Sequence, residues 1–417
     1  MTIVEKIFAR ASGQSKTTAG QQVTAKIDVA FMPDAFRMVG IVLAKAGIKP
    51  FKVWDPEKVV AVIDHRVPAS ALDTANNQKD MRELAQKLGI KYFYDVFPGI
   101  GHQIMVQNGH VLPGYLAVGA DSHTTTYGAV NAASTGIGAS EMAYVLKTGE
   151  LWFKVPETIK IEVTGSLGPF VHAKDIILEV AGRYSTEMAQ YKAIEWTGQA
   201  IDEMRIDSRM TMGNMSVELG AKFGIFKADQ KTIEYLKTRT SKSIDPVNPD
   251  DDAVYSETYV IDGAKLEPKV AVPHNVGNVK NVSEVKDVKI NQAVIASCCH
   301  GRMEDMEIAA RIVKGKKVAP GVRFWVAPAS WEEYKKAVDS GIVSTLIEAG
   351  VMIGNPSCGF CTGIQGVIAD GEVCLAATPR NFKGRMGSNK AEIYLGSPAT
   401  VAASALEGKI VDPREVA

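Results

Sequence analysis

The 417-residue chain is poor in cysteine, has no excess of either charge and contains no long apolar run. Five cysteines, an odd and sparse set, exclude the disulfide framework of a small secreted domain and fit a reducing compartment. Lys and Arg number 47, as do Asp and Glu, so the net charge is zero. That balance argues against nucleic-acid or membrane-surface binding through bulk charge, but leaves room for a local basic pocket. No stretch is apolar for long enough to span a bilayer, and Met1–Lys6 lacks a charged-then-apolar signal pattern. A cytoplasmic location is the expectation. There is no internal repeat and no low-complexity tract.

What is present alternates strands with helices, the pattern of α/β layers. A single compact core does not accommodate 417 residues, so two or three domains are expected. The β-branched run Val59–Ile63 reads as a buried parallel strand. Strands are also predicted at Val23–Ala30, Tyr92–Val96, Tyr115–Val118, Thr158–Val163, Val294–Ala296, Val322–Ala327 and Glu372–Ala376. Apolar spacing predicts helices at Phe36–Lys45, Asn76–Leu88, Ala173–Gly182, Ile201–Met210, Met303–Val313 and Pro398–Glu407. Val272–Val285 reads as an irregular connector, from its Pro, Gly and Asn content.

The chemistry-bearing residues cluster just past strands, where open α/β sheets keep their ligands. Cys358-Gly-Phe-Cys361 is a glycine-flanked Cys-x-x-Cys, and Cys298 lies far upstream in Ser-Cys-Cys-His. Three thiolates from separate loops suit an iron–sulfur cubane with one iron left without a protein ligand. Cys358 and Cys361 alone leave a zinc half-site and a redox dithiol equally open. Cys299 and Cys374 look like ordinary buried residues. Asp64-His65, His102 and Asp121-Ser122-His123 add imidazoles beside carboxylates, which fix a tautomer and raise basicity. Arg380 and Arg385 offer forks suited to a carboxylate. Asn214 and Glu218 are four apart and are expected on one helical face. Together these groups describe a site that eliminates water from a hydroxy-carboxylate. Singly, each histidine is better explained as a hydrogen-bonded structural residue than as a catalyst, and the arginines can equally be surface or interdomain ion pairs. No role falls to His110, His172 or His274.

At these motifs the sequence resembles the aconitase superfamily, and within it the large subunits of 3-isopropylmalate dehydratase and homoaconitase. The resemblance runs over nearly the whole chain, to the tail Ser397-Pro-Ala-Thr-Val-Ala-Ala-Ser-Ala405. It implies three α/β/α domains around a central cluster cleft, expected at residues 1–156, 157–286 and 287–417. It implies a [4Fe-4S] cluster on Cys298, Cys358 and Cys361 with one iron not held by protein. Asp64, His65, His102, Asp121, His123 and Glu218 are then the acid/base and cluster-side network, and Ser122, Asn214, Arg380 and Arg385 the substrate-side groups. A separate small subunit carrying a mobile fourth domain, with a serine base, is implied as partner, so this chain is expected to be incomplete as a catalyst. The implied reaction is dehydration and rehydration of a hydroxy dicarboxylate, with 3-isopropylmalate to 2-isopropylmalate in leucine biosynthesis leading. Pro33, Phe36, Gly213, Cys299-His300 and Pro379 depart from the family pattern near the site. They leave open a homoaconitate or a methyl- or dimethylmalate substrate. Non-enzymatic alternatives are a cluster-dependent sensor or scaffold, or a zinc module.

Overall fold

The computed structural model describes residues 1–34, 36–45, 47, 52–285 and 287–416. The side chain of Phe36 and the residues Lys286 and Ala417, which end two expected domains, lie outside the described residues.

Three sheets carry the fold. The first has five parallel strands in the order Tyr92–Tyr94, Val59–Val62, Val29–Met32, Leu116–Gly119, Ala133–Gly136. Its three central strands are buried at every residue, as helix-covered parallel strands must be. The second has four parallel strands: Phe223–Phe226, Ala193–Thr197, Thr158–Thr164 and Glu257–Asp262. The third has seven, ordered Val279–Asn281, Lys269–Ala271, Glu392–Gly396, Val373–Ala377, Gln292–Ile295, Arg323–Val326, Met352–Ile353. Only Lys269–Ala271 runs antiparallel to its neighbours there. The C-terminal ends of the parallel strands deliver the loops that matter. Val59–Val62 leads to Asp64, Leu116–Gly119 to Asp121, Gln292–Ile295 to Cys298, and Val373–Ala377 to Arg380.

The sheets are stitched together at those loops. The Cys358 N–H donates to the Asp64 carbonyl at 3.0 Å, and Gly99 bridges Ser330. Gly128 sits so close to the second sheet that a Cβ there would lie 1.7 Å from the Gly224 carbonyl oxygen. Glycine is required at that crossing because backbone meets backbone.

Helices at Phe36–Lys45, Met303–Val313 and Pro398–Glu407 end where their apolar spacing ends. Other elements differ from the sequence reading. Val23–Ala30 is two strands: Gln22–Lys26 pairs with Glu150–Lys154, and Val29–Met32 enters the first sheet. Asp28 makes the break by accepting the Leu116 N–H and the Arg10 guanidinium. The helix read from Asn76 starts at Leu72. The helix read over Ile201–Met210 is two, Gln199–Glu203 and Ile206–Met215. Val272–Val285 contains the short strand Val279–Asn281 in the third sheet.

Candidate active site

Asp64 is buried at the end of its strand, and both its oxygens are engaged. Oδ1 lies 2.7 Å from His65 Nδ1, and Oδ2 accepts the Gly101 N–H at 2.7 Å. His65 Nε2 is 3.4 Å from Asp121 Oδ2. Burial pulls the His65 pKa down, but Asp64 and Asp121 outweigh it and hold the imidazolium well above the ordinary range. His102 Nε2 is 2.8 Å from Asp121 Oδ1, while its Nδ1 meets the Tyr127 hydroxyl at 3.0 Å.

Asp121 caps the 3₁₀ helix Ser122–Val130, accepting the His123 N–H at 2.8 Å. Burial raises its pKa, yet the three surrounding histidines leave it well below the usual carboxylate range. His123 Nε2 is 3.0 Å from Glu218 Oε1, and Ser122 Oγ is 3.3 Å from its Nδ1. Burial lowers the His123 pKa; the facing Cys298, Asp121 and Glu218 raise it, to about 10. Glu218 Oε1 also accepts Arg380 Nε at 2.7 Å. A carboxylate–imidazole chain thus runs from the Asp64 loop to Arg380. His65 is its open link, with a side chain 28% exposed against 2% for His102 and 6% for His123.

Asn214 and Glu218 do not share one helical face. The α-helix ends at Met215 and Glu218 sits in a 3₁₀ turn, Ser216–Leu219. Both still reach the Ser122–Val130 helix, since Asn214 Nδ2 donates to Thr126 Oγ1 at 2.8 Å. Asn214 Oδ1 is buried without a partner, and Ser122 is exposed.

Cys298, Cys358 and Cys361 are buried and free. A hydrogen bond from the Cys358 thiol, helped by the facing His123 and His102, holds the Cys298 sulfur well below the usual thiol range against the opposing effect of burial. Ile100 packs against the pair. Arg385 donates from Nε to the Cys361 carbonyl at 3.0 Å and places Nη2 3.6 Å from Cys361 Sγ. Ser297 takes φ of 84° just before Cys298, a left-handed conformation that costs a non-glycine residue roughly 1–3 kcal/mol. Asp64, His65 and Cys358 offer donor atoms within 4.8 Å of one another.

The family model for aconitase (aconitate hydratase) matches residues 5–287 and 278–408. The chain is similar to 3-isopropylmalate dehydratase large subunit 1 of Methanopyrus kandleri, 47% identical over 99% of both chains. It is 44% identical to the 3-isopropylmalate dehydratase large subunit of Moorella thermoacetica, over 100% of this chain and 99% of that one. A probable methanogen homoaconitase large subunit of Methanosarcina mazei is 46% identical over 94% of this chain and 100% of its own.

The chain belongs to the aconitase family.

As a family member it is a hydro-lyase, and the sensor and zinc-module readings are set aside. Membership implies a [4Fe-4S] cluster, and the donor set fits one: three free, buried thiols with cations beside them and no disulfide. Among the described residues no helix is long and apolar enough to cross a membrane.

Several site residues escaped the sequence reading. Asp34 accepts the N–H groups of Asp64, His65 and Arg66 at 2.6, 3.2 and 3.2 Å, fixing that loop. Arg302, fully buried, donates to the Cys298 and Cys299 carbonyls at 2.6 and 2.8 Å and to Gln103 Oε1 at 2.9 Å. Lys174, equally buried, donates to the Thr378 carbonyl at 2.7 Å and so holds the start of the Arg380 loop. None of the three stood out in composition: Lys174, for one, is followed by Asp175 in the first turn of its helix. His300, a departure from the family pattern, pairs with Asp305 at 2.8 Å.

Proposed function

We infer that the chain is the large subunit of an isomerase that dehydrates 3-isopropylmalate and rehydrates the product at the neighbouring carbon to give 2-isopropylmalate. The observation that carries it is one continuous network, Asp64–His65–Asp121–His123–Glu218–Arg380, beside three buried thiols. The relatives named for this reaction support the choice of acid. A homoaconitate-type acid is the second reading, supported by relatives named for homoaconitase.

In this reading Cys298, Cys358 and Cys361 hold the cluster and leave one iron without a protein ligand. When bound, the cluster supplies a Lewis acid for the substrate hydroxyl. His65 carries the proton for the departing hydroxyl at Nε2, because it alone of the three histidines opens to the cavity. Asp64 and Asp121 keep it protonated and oriented. His123, protonated with a pKa of about 10, and Glu218 hold Arg380 in place. Arg380 and Arg385 take a carboxylate of the acid and stabilise the charge that develops beside it. Ser122, exposed beside His123, and Asn214 complete the substrate side. A serine from a separate small subunit, carried on a mobile fourth domain, removes the carbon-bound proton. Domains at 1–156, 157–286 and 287–417 and a cytoplasmic setting belong to the same reading.

The test is anaerobic reconstitution with iron and sulfide, mixing with the small subunit, and ultraviolet detection of the unsaturated acid. A brown chromophore and interconversion of the two isopropylmalates are expected. A colourless protein inert toward both isomers would end the proposal.

A further inference from the structure

The cavity that exposes His65 and Asp121 measures about 390 Å³. Away from the network it is walled by Pro33, Met38, Arg66, Asp73, Thr74 and Asn77, with one oxygen of Asp73 taken by the Thr74 N–H at 2.7 Å. Arg66 is the one Arg or Lys among the described lining residues. It follows His65 directly, on the loop whose three N–H groups Asp34 holds. A side chain rooted in so fixed a backbone loses less freedom when a ligand arrives.

The guanidinium has little to do within the protein. Among the described residues its side-chain bond is from Nη1 to Thr74 Oγ1, at a long 3.5 Å, and Arg66 itself is exposed. The other two arginines of the site are already engaged. Arg380 is paired with Glu218, and Arg385 is tied to Cys361. Those two serve the end of the site built from Glu218 and the cysteine turn. A dicarboxylate has a second anionic end, and an uncommitted planar fork on the cavity wall matches it bidentately.

We propose that Arg66 binds the second carboxylate of the hydroxy acid, and so restricts the site to acids that carry two. The assignment rests on the substrate reading above. It also predicts a selectivity: an acid that lacks this carboxylate has nothing for Arg66 to hold.

The experiment uses the cluster-loaded chain with its small subunit. In Arg66→Gln the KM for 3-isopropylmalate should rise about ten- to a hundredfold, with kcat within about threefold, and Arg66→Lys should recover part of the loss. Titration of the cluster-loaded chain should show the same weakening for 3-isopropylmalate. It should show none for 2-hydroxy-4-methylpentanoate, the same skeleton without one carboxylate. The variant should melt with the wild type, because the residue is exposed and makes one weak bond. An unchanged KM overturns the assignment, as does equal weakening of both acids. Wild-type protein that neither binds nor turns over 3-isopropylmalate overturns the substrate reading itself, and this assignment with it.

Discussion

Replacing Arg302 by Met should both destabilise the chain and loosen the cysteine loop. The guanidinium is fully buried and makes three side-chain bonds, to the Cys298 and Cys299 carbonyls and to Gln103 Oε1. Met is apolar and close to Arg in volume, though shorter, so much of the space is refilled. The loss is therefore polar: three buried acceptors lose a charged donor. At about 1.5–3 kcal/mol each the sum is roughly 4–9 kcal/mol, and since neighbouring bonds are not additive the lower end is expected. That is a large part of the roughly 5–15 kcal/mol that holds a typical domain folded. Urea unfolding of cluster-free protein should show the midpoint falling steeply. Cys298, whose carbonyl is then unheld, should react faster with a thiol reagent in the absence of urea. Arg302→Lys should recover one bond but not the fork that spans two carbonyls. A midpoint and a thiol rate both equal to wild type would refute the claim that this side chain holds the loop.

Cys358→Ser should keep the circular dichroism of the wild type and lose the brown chromophore on reconstitution; full iron uptake would exclude Cys358 as a ligand. His123→Gln should cost stability that depends on pH. Its folded pKa of about 10 lies above the ordinary 6.5, so its contribution is complete below about pH 6.5 and is lost as pH rises through 10. The wild-type and variant melting temperatures should therefore differ most in mildly acidic buffer and converge in alkaline buffer; a constant gap would count against a charged His123. Gly128→Ala should destabilise by roughly 3 kcal/mol or more, because its Cβ would overlap the Gly224 carbonyl oxygen; a thermal melt equal to wild type would show that the two backbones can part.

Much of this was legible in the sequence because it is local. Val59–Val62 announces a buried strand by its β-branched run, and Asp64-His65 follows it by two residues. The cysteine spacing and the Asp121-Ser-His123 run are equally local. The residues missed are those whose partners are distant in sequence. Asp34 acts 30 residues downstream on the Asp64 loop, and Arg302, though close in sequence to Cys298 and Cys299, owes its burial beside them to Gln103, 199 residues away. Neither separation leaves a periodic trace. The single-face reading of Asn214 and Glu218 failed because helical spacing was extended past Met215, where the chain tightens to a 3₁₀ turn. The two side chains converge anyway, through Thr126 and His123 on one facing helix.

The charges of the site explain one another. A centre built on three thiolates that must also admit an anionic acid would repel its own ligand unless cations were set among them. Along the network carboxylate alternates with imidazole and ends on a guanidinium, so Asp121 and Glu218 are each faced by protonated or donating groups. These pairs satisfy each other at close range, and buried charges need such partners. They also act on the cysteines: His123 and His102 favour a charged Cys298, and Asp121 opposes it. Further cations stand near the thiols: Arg385 lies against Cys361, Arg302 grips the carbonyl of Cys298, and Lys174 lies within electrostatic reach of Cys299 and Cys361. Burial depresses the Lys174 ammonium below its ordinary value, and nearby negative charge opposes that shift. The positive groups behind the cysteines thus balance the centre, and Arg66, in front, is left to meet the substrate.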